Sequence, residues 1–311
     1  MDAKQVVEYW YETFVLNLDW PKPKRMNFRI GIFGIFACGL FACGVNTTKI
    51  ESAPEISEIE SVTVLQDFKN YFDSCGVDGS IAIYDNQQKK WIVSDTVKTK
   101  QTSLPASTFK IINLLIALET KIIADENEIV QWVGSTDTVK YGYRPEIYKD
   151  MSVKEAFELS AGWVFVELAK KVGRENYKKY LSESKYGNAD LSQQDADFWN
   201  FGHFEISPID QVLFLRKLYE NKLPFSKRNM DIVKRVMLTE QNEDYSMRAK
   251  TGWTRENNIN TGWWVGYLEN KNGTYFFATR LLQDRKHKRD DFGSCRKSIT
   301  KQVLKDLKLI N

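Results

Sequence analysis

The stretch Leu104-Pro105-Ala106-Ser107-Thr108-Phe109-Lys110, continued by IINLLIALET over 111–120, decides how the chain is read. From Ile111 to Leu118 it is apolar on nearly every face, which predicts a helix buried all round. Pro105 stands just before the helix, where its missing N–H costs nothing. Ser107 falls in the first turn, where unpaired N–H groups and the positive end of the helix dipole favour developing negative charge. Lys110 follows three residues on, so its amine lies beside the Ser107 hydroxyl. Burial disfavours the ammonium form and can lower a lysine pKa by several units from roughly 10.4, leaving a usable base. An isolated Ser-x-x-Lys is most often only a serine cap and a lysine reaching for water. The rest of the chain has to decide.

About 140 residues downstream, Lys250-Thr251-Gly252 lies inside MRAKTGW (247–253), a predicted strand. A cation, a hydroxyl and then no side chain let a substrate lie along the strand edge, and the lysine can meet a carboxylate or shuttle protons. The tripeptide is weak alone and much stronger behind a Ser-x-x-Lys. Further strands are expected at TGWWVGYLE (261–269) and TYFFATRLL (274–282), and a hairpin at SIAIYD (80–85) and WIVSD (91–95). Val62, Leu65, Phe68 and Phe72 have helical spacing, ended by Gly76. Residues 106–244 are read as mainly helical, for example 154–172 and 209–220, and a closing helix as running from about Arg296 to Leu309. The expected fold is therefore α/β of the α+β type, an antiparallel sheet flanked by helices with an all-helical inserted region. Its sheet part is 61–105 and 245–311, its helical part 106–244, and the active site belongs where the two meet.

The N-terminus reads as an export signal. Lys22, Lys24, Arg25 and Arg29 precede the apolar run IGIFGIFACGLFA (30–42), shorter than the roughly 20 residues that span a bilayer. Cleavage after Ala42 would expose Cys43, and after Ala37, Cys38; Leu40-Phe41-Ala42-Cys43 has the form of a lipoprotein box. Residues 1–43 are read as an extension plus signal peptide, with Met26 an alternative start to Met1, and the polar residues 44–60 as a flexible tether. The 61–311 portion keeps Cys75 and Cys295, whose pairing the sequence leaves open. With Lys+Arg 44 against Asp+Glu 41, the net charge of +3 gives no reason to expect a nucleic-acid partner. His203, in the loop-like FGHFE, and His287, in the charged run DRKHKRD, are the only histidines and read as surface residues, so a Ser-His-Asp triad or a His-rich metal site is poorly supplied.

Ser107-Thr108-Phe109-Lys110, Tyr186-Gly187-Asn188, Lys250-Thr251-Gly252 and Trp263-Trp264-Val265-Gly266 occur in the order and spacing of the class D (oxacillinase-type) serine β-lactamases. The resemblance covers roughly residues 62–309, and Phe198-Trp199, Ile206-Ser207-Pro208 and Arg296-Lys297-Ser298-Ile299 extend it. It implies a penicillin-recognising serine hydrolase of β-lactamase/transpeptidase-like fold acting on β-lactams in the periplasm or cell envelope. It implies no metal and no dissociable cofactor, but a CO₂-derived carbamate on Lys110 as general base. Ser107 would form the acyl-enzyme, and Ser160 would relay a proton to the β-lactam nitrogen. Lys250, Thr251, Gly252 and Arg296 would line the substrate pocket, with Arg296 holding the substrate carboxylate. Backbone N–H groups of Ser107 and Trp253 would form the oxyanion hole, and the Trp199 indole would donate to the carbamate.

Two positions depart from the family pattern. Ser160-Ala161-Gly162 stands where Ser-x-Val is usual, and Asn200 where an apolar residue follows the tryptophan. Both positions shield the modified lysine in the family, so a wetter pocket is expected here, with Trp163 filling some of the space. Two alternatives share the motifs: a β-lactam sensor domain acylated without turnover, and a small peptidoglycan transpeptidase or carboxypeptidase.

Overall fold

The computed structural model describes residues 60–287 and 290–311. The expected signal peptide, the lipid anchor at Cys43 and nearly all of the tether lie outside them. In chain order, β1 (Ser61–Val64) leads to α1 (Lys69–Ser74), then to β2 (Asp78–Asp85) and β3 (Lys90–Val93). A 3₁₀ turn at Ala106–Phe109 opens α2 (Lys110–Glu119). The helical region continues through β4 (Ile129–Val130), α3 (Thr138–Tyr141), β5 (Met151–Ser152), α4 (Val153–Glu158) and α5 (Gly162–Val172). It closes with α6 (Arg174–Ser184), α7 (Pro208–Tyr219) and α8 (Lys227–Val236). The chain then returns to strands β6 (Leu238–Gln241), β7 (Tyr245–Glu256), β8 (Ile259–Asn270) and β9 (Gly273–Asp284), and ends in α9 (Phe292–Asp306).

Seven strands form one sheet in the order β1-β3-β2-β9-β8-β7-β6. Its centre is buried on both faces, and the period of two along β8 distributes the core. Trp263, Val265 and Tyr267 pack with the helical region, while Trp264 and Leu268 pack under α1 and α9. α2 is buried from Lys110 to Leu118, as its sequence requires, among α5, α6 and α8.

Four local expectations are corrected. Ser61–Val64 is a strand, not the start of a helix, and it pairs parallel to β3, so the sheet is not wholly antiparallel. Ser-Val-Thr-Val favours extended chain, and helix forms only over Lys69–Ser74, where Gly76 at φ 57° ends it. The helix expected over 154–172 is two helices, broken where Ser160 takes φ 56°. Leu238–Gln241, inside the segment read as helical, is an edge strand on β7 with a bulge between Leu238 and Glu240. Finally, the closing helix starts four residues before Arg296. Cys75 and Cys295 form a disulfide, Cα atoms 6.2 Å apart, joining the end of α1 to α9.

Candidate active site

The nucleophile turn is fixed from three sides. Leu104 O accepts the Trp263 indole N–H at 2.9 Å, and Ala106 N donates to Trp199 O at 3.0 Å. Thr108 Oγ1 donates to Pro105 O at 2.7 Å and accepts from Gln211 Nε2 at 2.8 Å. Ser107 thus sits in a tight 3₁₀ turn leading into α2, not in a regular first α turn. The Lys110 Nζ lies 2.7 Å from Ser107 Oγ.

Lys110 is 1% exposed, with the Phe165 ring centroid 5.2 Å from its Nζ. Burial, and secondarily the charge of Arg144, bring its pKa down to about 7. The Phe109 ring stacks on Trp199, centroids 4.8 Å apart. Trp199 is itself wholly buried, and its indole N–H has no hydrogen-bond partner among the described residues.

A second Ser–Lys pair faces the first. Ser160 occupies the left-handed region, costly for a residue with a Cβ and held there by its surroundings. Lys250 Nζ donates to Ser160 Oγ at 3.0 Å and to Thr251 O at 3.2 Å. Lys250 is buried too, and its pKa is driven well below the ordinary lysine value by burial first, then by Lys110, Arg296, Lys297 and Arg144.

Gly252 has a role beyond leaving the strand edge open. A Cβ there would lie 2.8 Å from Pro105 O, 3.2 Å from Thr108 Cγ2 and 3.3 Å from Ala106 Cβ. Only glycine lets β7 run directly against the nucleophile turn. Arg296 reaches this strand from α9, its Nη1 donating to Gly252 O at 2.5 Å. Burial lowers its pKa to about 10, and its Nε has no partner among the described residues.

These groups share a cleft of about 710 Å³, whose walls include Ser107, Lys110, Ser160, Thr251, Trp253 and Arg296. Lys250 and Trp199 lie behind it rather than on its wall. At Gly162 a Cβ would meet nothing within 4 Å, so its missing side chain leaves open space. Trp163 fills a neighbouring position, donating to Ile147 O at 2.7 Å and packing edge-on against Trp132. Asn200 lines the cleft, its carbonyl accepting from Thr254 Oγ1 at 2.5 Å.

Sequence reasoning missed the strap over 136–148, which closes one side of the cleft. Its Lys140 pairs with Asp197 at 3.1 Å, and Tyr141 OH donates to the same carboxylate. This latches the strap to the loop carrying Trp199. Arg144, which adds its charge to both buried lysines, comes from here. The available signal was Asp137, whose carboxylate caps α3 by accepting from Val139 N and Lys140 N.

A serine hydroxyl against a buried amine, a second Ser–Lys pair and a bare strand edge define a serine acyl-transfer enzyme of the penicillin-recognising kind. Residues 78–305 match the penicillin binding protein transpeptidase domain. β-Lactamase OXA-48 of Klebsiella pneumoniae is 38% identical over 232 residues, 75% of this chain and 84% of that protein. The probable β-lactamase YbxI of Bacillus subtilis is 36% identical over 233 residues, 75% of this chain and 82% of that one. Among solved structures, the class D β-lactamase of Sebaldella termitidis superposes with TM-score 0.76 at 38% identity, covering 81% of this chain and 99% of that chain. FUS-1 (OXA-85) of Fusobacterium nucleatum subsp. polymorphum does so with TM-score 0.74 at 29% identity, covering 80% and 100%. The chain belongs to the class D serine β-lactamases.

Proposed function

We propose that this enzyme opens β-lactam rings through an ester on Ser107, with Lys110 in N-carboxylated form supplying the base. The carrying observation is the pairing of a buried amine 2.7 Å from Ser107 Oγ with the partnerless, buried indole N–H of Trp199. Carbon dioxide reacts only with a neutral amine, and a pKa of about 7 leaves about half of Lys110 neutral at neutral pH. A wholly buried indole donor without a partner suits a carbamate oxygen, which is the chemistry the resemblance implies. When present, the carbamate is a base stronger than a carboxylate and held next to the hydroxyl.

In acylation, Ser107 Oγ attacks the lactam carbonyl carbon as its proton leaves toward Lys110. The carbonyl oxygen takes up negative charge and is stabilised by the N–H groups of Ser107 and Trp253. The C–N bond then breaks, and the nitrogen takes a proton from Ser160, which Lys250 resupplies. Arg296 and Thr251 hold the substrate's ring carboxylate. In deacylation, water adds to the ester, its proton leaves on the Lys110 side, and Ser107 Oγ departs reprotonated.

The test is acyl-enzyme lifetime by mass spectrometry with a simple penicillin, with and without bicarbonate, alongside Ser107→Ala. Covalent mass on Ser107 that clears quickly is expected, and none on the variant. An adduct lasting for hours under saturating bicarbonate would favour an acylated sensor. We also propose export with a lipid on Cys43, motivated by the basic segment, short apolar run and Leu-Phe-Ala-Cys box over 22–43. A palmitate analogue should then tag the protein, and Cys43→Ser should abolish the tag.

A further inference from the structure

Six of the side chains lining the cleft are Lys or Arg, and among the described residues no Asp or Glu lines it. Four of these cations are already engaged. Lys110 and Arg296 belong to the reacting end, Lys140 is paired with Asp197 and Arg144 with Glu146 at 2.8 Å. Arg255 and Arg285 are different. Both are exposed, and neither takes part in an ion pair with a described residue.

The sheet brings these two guanidiniums to one end of the cleft. Arg255 stands opposite Asn260 across the β7–β8 pairing, and Arg285 follows β9 with its N–H donating to Asn258 O at 2.9 Å. The Arg255 guanidinium lies 5.2 Å from the Trp253 ring centroid, two residues back on the same face of β7. The adjacent carboxylates have other partners. Glu256 accepts from Gly202 N at 3.1 Å, and Asp284 from Asn258 Nδ2 at 2.9 Å and Lys286 N at 2.8 Å.

Arg255 is four residues beyond Thr251, roughly 13 Å along extended chain. A β-lactam whose ring carboxylate meets Thr251 and Arg296, and whose carbonyl lies at Ser107, has its acylamino side chain left to run along β7 toward Arg255. We propose that Arg255 and Arg285 form a second anion subsite, which favours β-lactams carrying an additional carboxylate on that side chain. The inference rests on the ring-opening reaction proposed above and adds the substrate class the site selects.

Three penicillins test it, because they differ at one carbon of the side chain: benzylpenicillin (uncharged), ampicillin (an ammonium) and carbenicillin (a carboxylate). At low salt, kcat/KM is expected to be highest for carbenicillin and lowest for ampicillin, about tenfold from end to end, and the spread should shrink at high salt. The double variant Arg255→Gln/Arg285→Gln should lose the ordering, whereas Arg255→Lys/Arg285→Lys should keep it. Equal kcat/KM for all three in the parent enzyme, or an ordering that survives in the Gln variant, overturns the subsite while leaving the enzyme intact. If none of the three is turned over, the hydrolase reading fails and the subsite falls with it.

Discussion

Replacing Gly252 by Ala puts a methyl group where β7 touches the nucleophile turn. Its nearest neighbour, Pro105 O at 2.8 Å, cannot swing away, because both flanking residues are pinned by Trp263 and by the Trp199 carbonyl. Restoring ordinary contact needs strand and turn to separate by roughly half an ångström. Overpacking of this kind costs about 1–3 kcal/mol. For a folded region of this size each kcal/mol lowers Tm by about 2–4 °C, so a fall of about 2–12 °C is expected. The turn carries Ser107, and a misplacement of 1 Å can cost about a hundredfold in rate, so half that displacement should lower kcat about tenfold.

Gly162→Ala is the matched control. The same methyl there meets nothing within 4 Å, and Gly162 is not among the glycines with positive φ. Its entry into α5 should gain about 0.4–1 kcal/mol from a less flexible unfolded chain. Thermal melts and turnover of a chromogenic cephalosporin measured on both variants decide the matter. Equal melting temperatures for the two, or an unchanged kcat in Gly252→Ala, would refute the close-packing argument.

If Arg296 holds the substrate carboxylate as proposed, Arg296→Ala removes a charge-assisted contact worth about 1.5–3 kcal/mol, so kcat/KM should fall roughly tenfold to a hundredfold, mostly through KM. Unchanged kinetics would show that Arg296 serves only its hydrogen bond to Gly252 O. The lowered Lys110 pKa sets the sign of the pH response: activity should fall as pH drops through about 7, because the ammonium form can neither take a proton nor react with CO₂. Added bicarbonate should raise activity on this acidic limb, and less so in Gly162→Val; no bicarbonate effect at any pH would refute a loosely held carbamate. Cys75→Ser, or reduction, should cost about 2–4 kcal/mol and lower Tm, since the bridge ties α9 to α1. An unchanged melt under reductant would refute that contribution.

Sequence patterns reached the long elements because their signals are local. The largely apolar Ile111–Leu118 run of α2 and the alternation along β8 and β9 each allow one sensible burial. The misread elements are those where distant contacts override local preference. Ser160 breaks a helical pattern because Lys250, ninety residues away in sequence, holds its hydroxyl. The Ser61–Val64 strand exists because β3 lies beside it, although helical spacing of apolar residues continues through the same segment. Ser107, Lys110, Ser160 and Lys250 could each be named from the motifs and the family resemblance, yet the pairing of Ser160 with Lys250 and the approach of β7 to the nucleophile turn through Gly252 are facts of packing. The strap left only the Asp137 cap as a local signal, and its place over the cleft is set by the buried Asp197 of another loop.

The charge pattern of the cleft joins substrate binding to proton supply. Lys110, Lys250, Arg144 and Arg296 crowd together, and among the described residues no carboxylate lines the cleft to balance them. In the absence of an anion, each buried ammonium must form in low dielectric against like charges, so both lysines are pushed toward the neutral amine. That is the form in which Lys110 can react with CO₂ to give the base proposed above. A substrate brings the missing negative charge as its ring carboxylate, on the side of the cleft where Lys250 lies beneath Thr251. Its arrival opposes the repulsion that lowered the Lys250 pKa, and so favours the protonated form there. On the proposed mechanism this is the form needed next, because Lys250 must resupply Ser160 once the C–N bond breaks. The carboxylate that anchors the β-lactam therefore also helps to load the proton that releases its nitrogen.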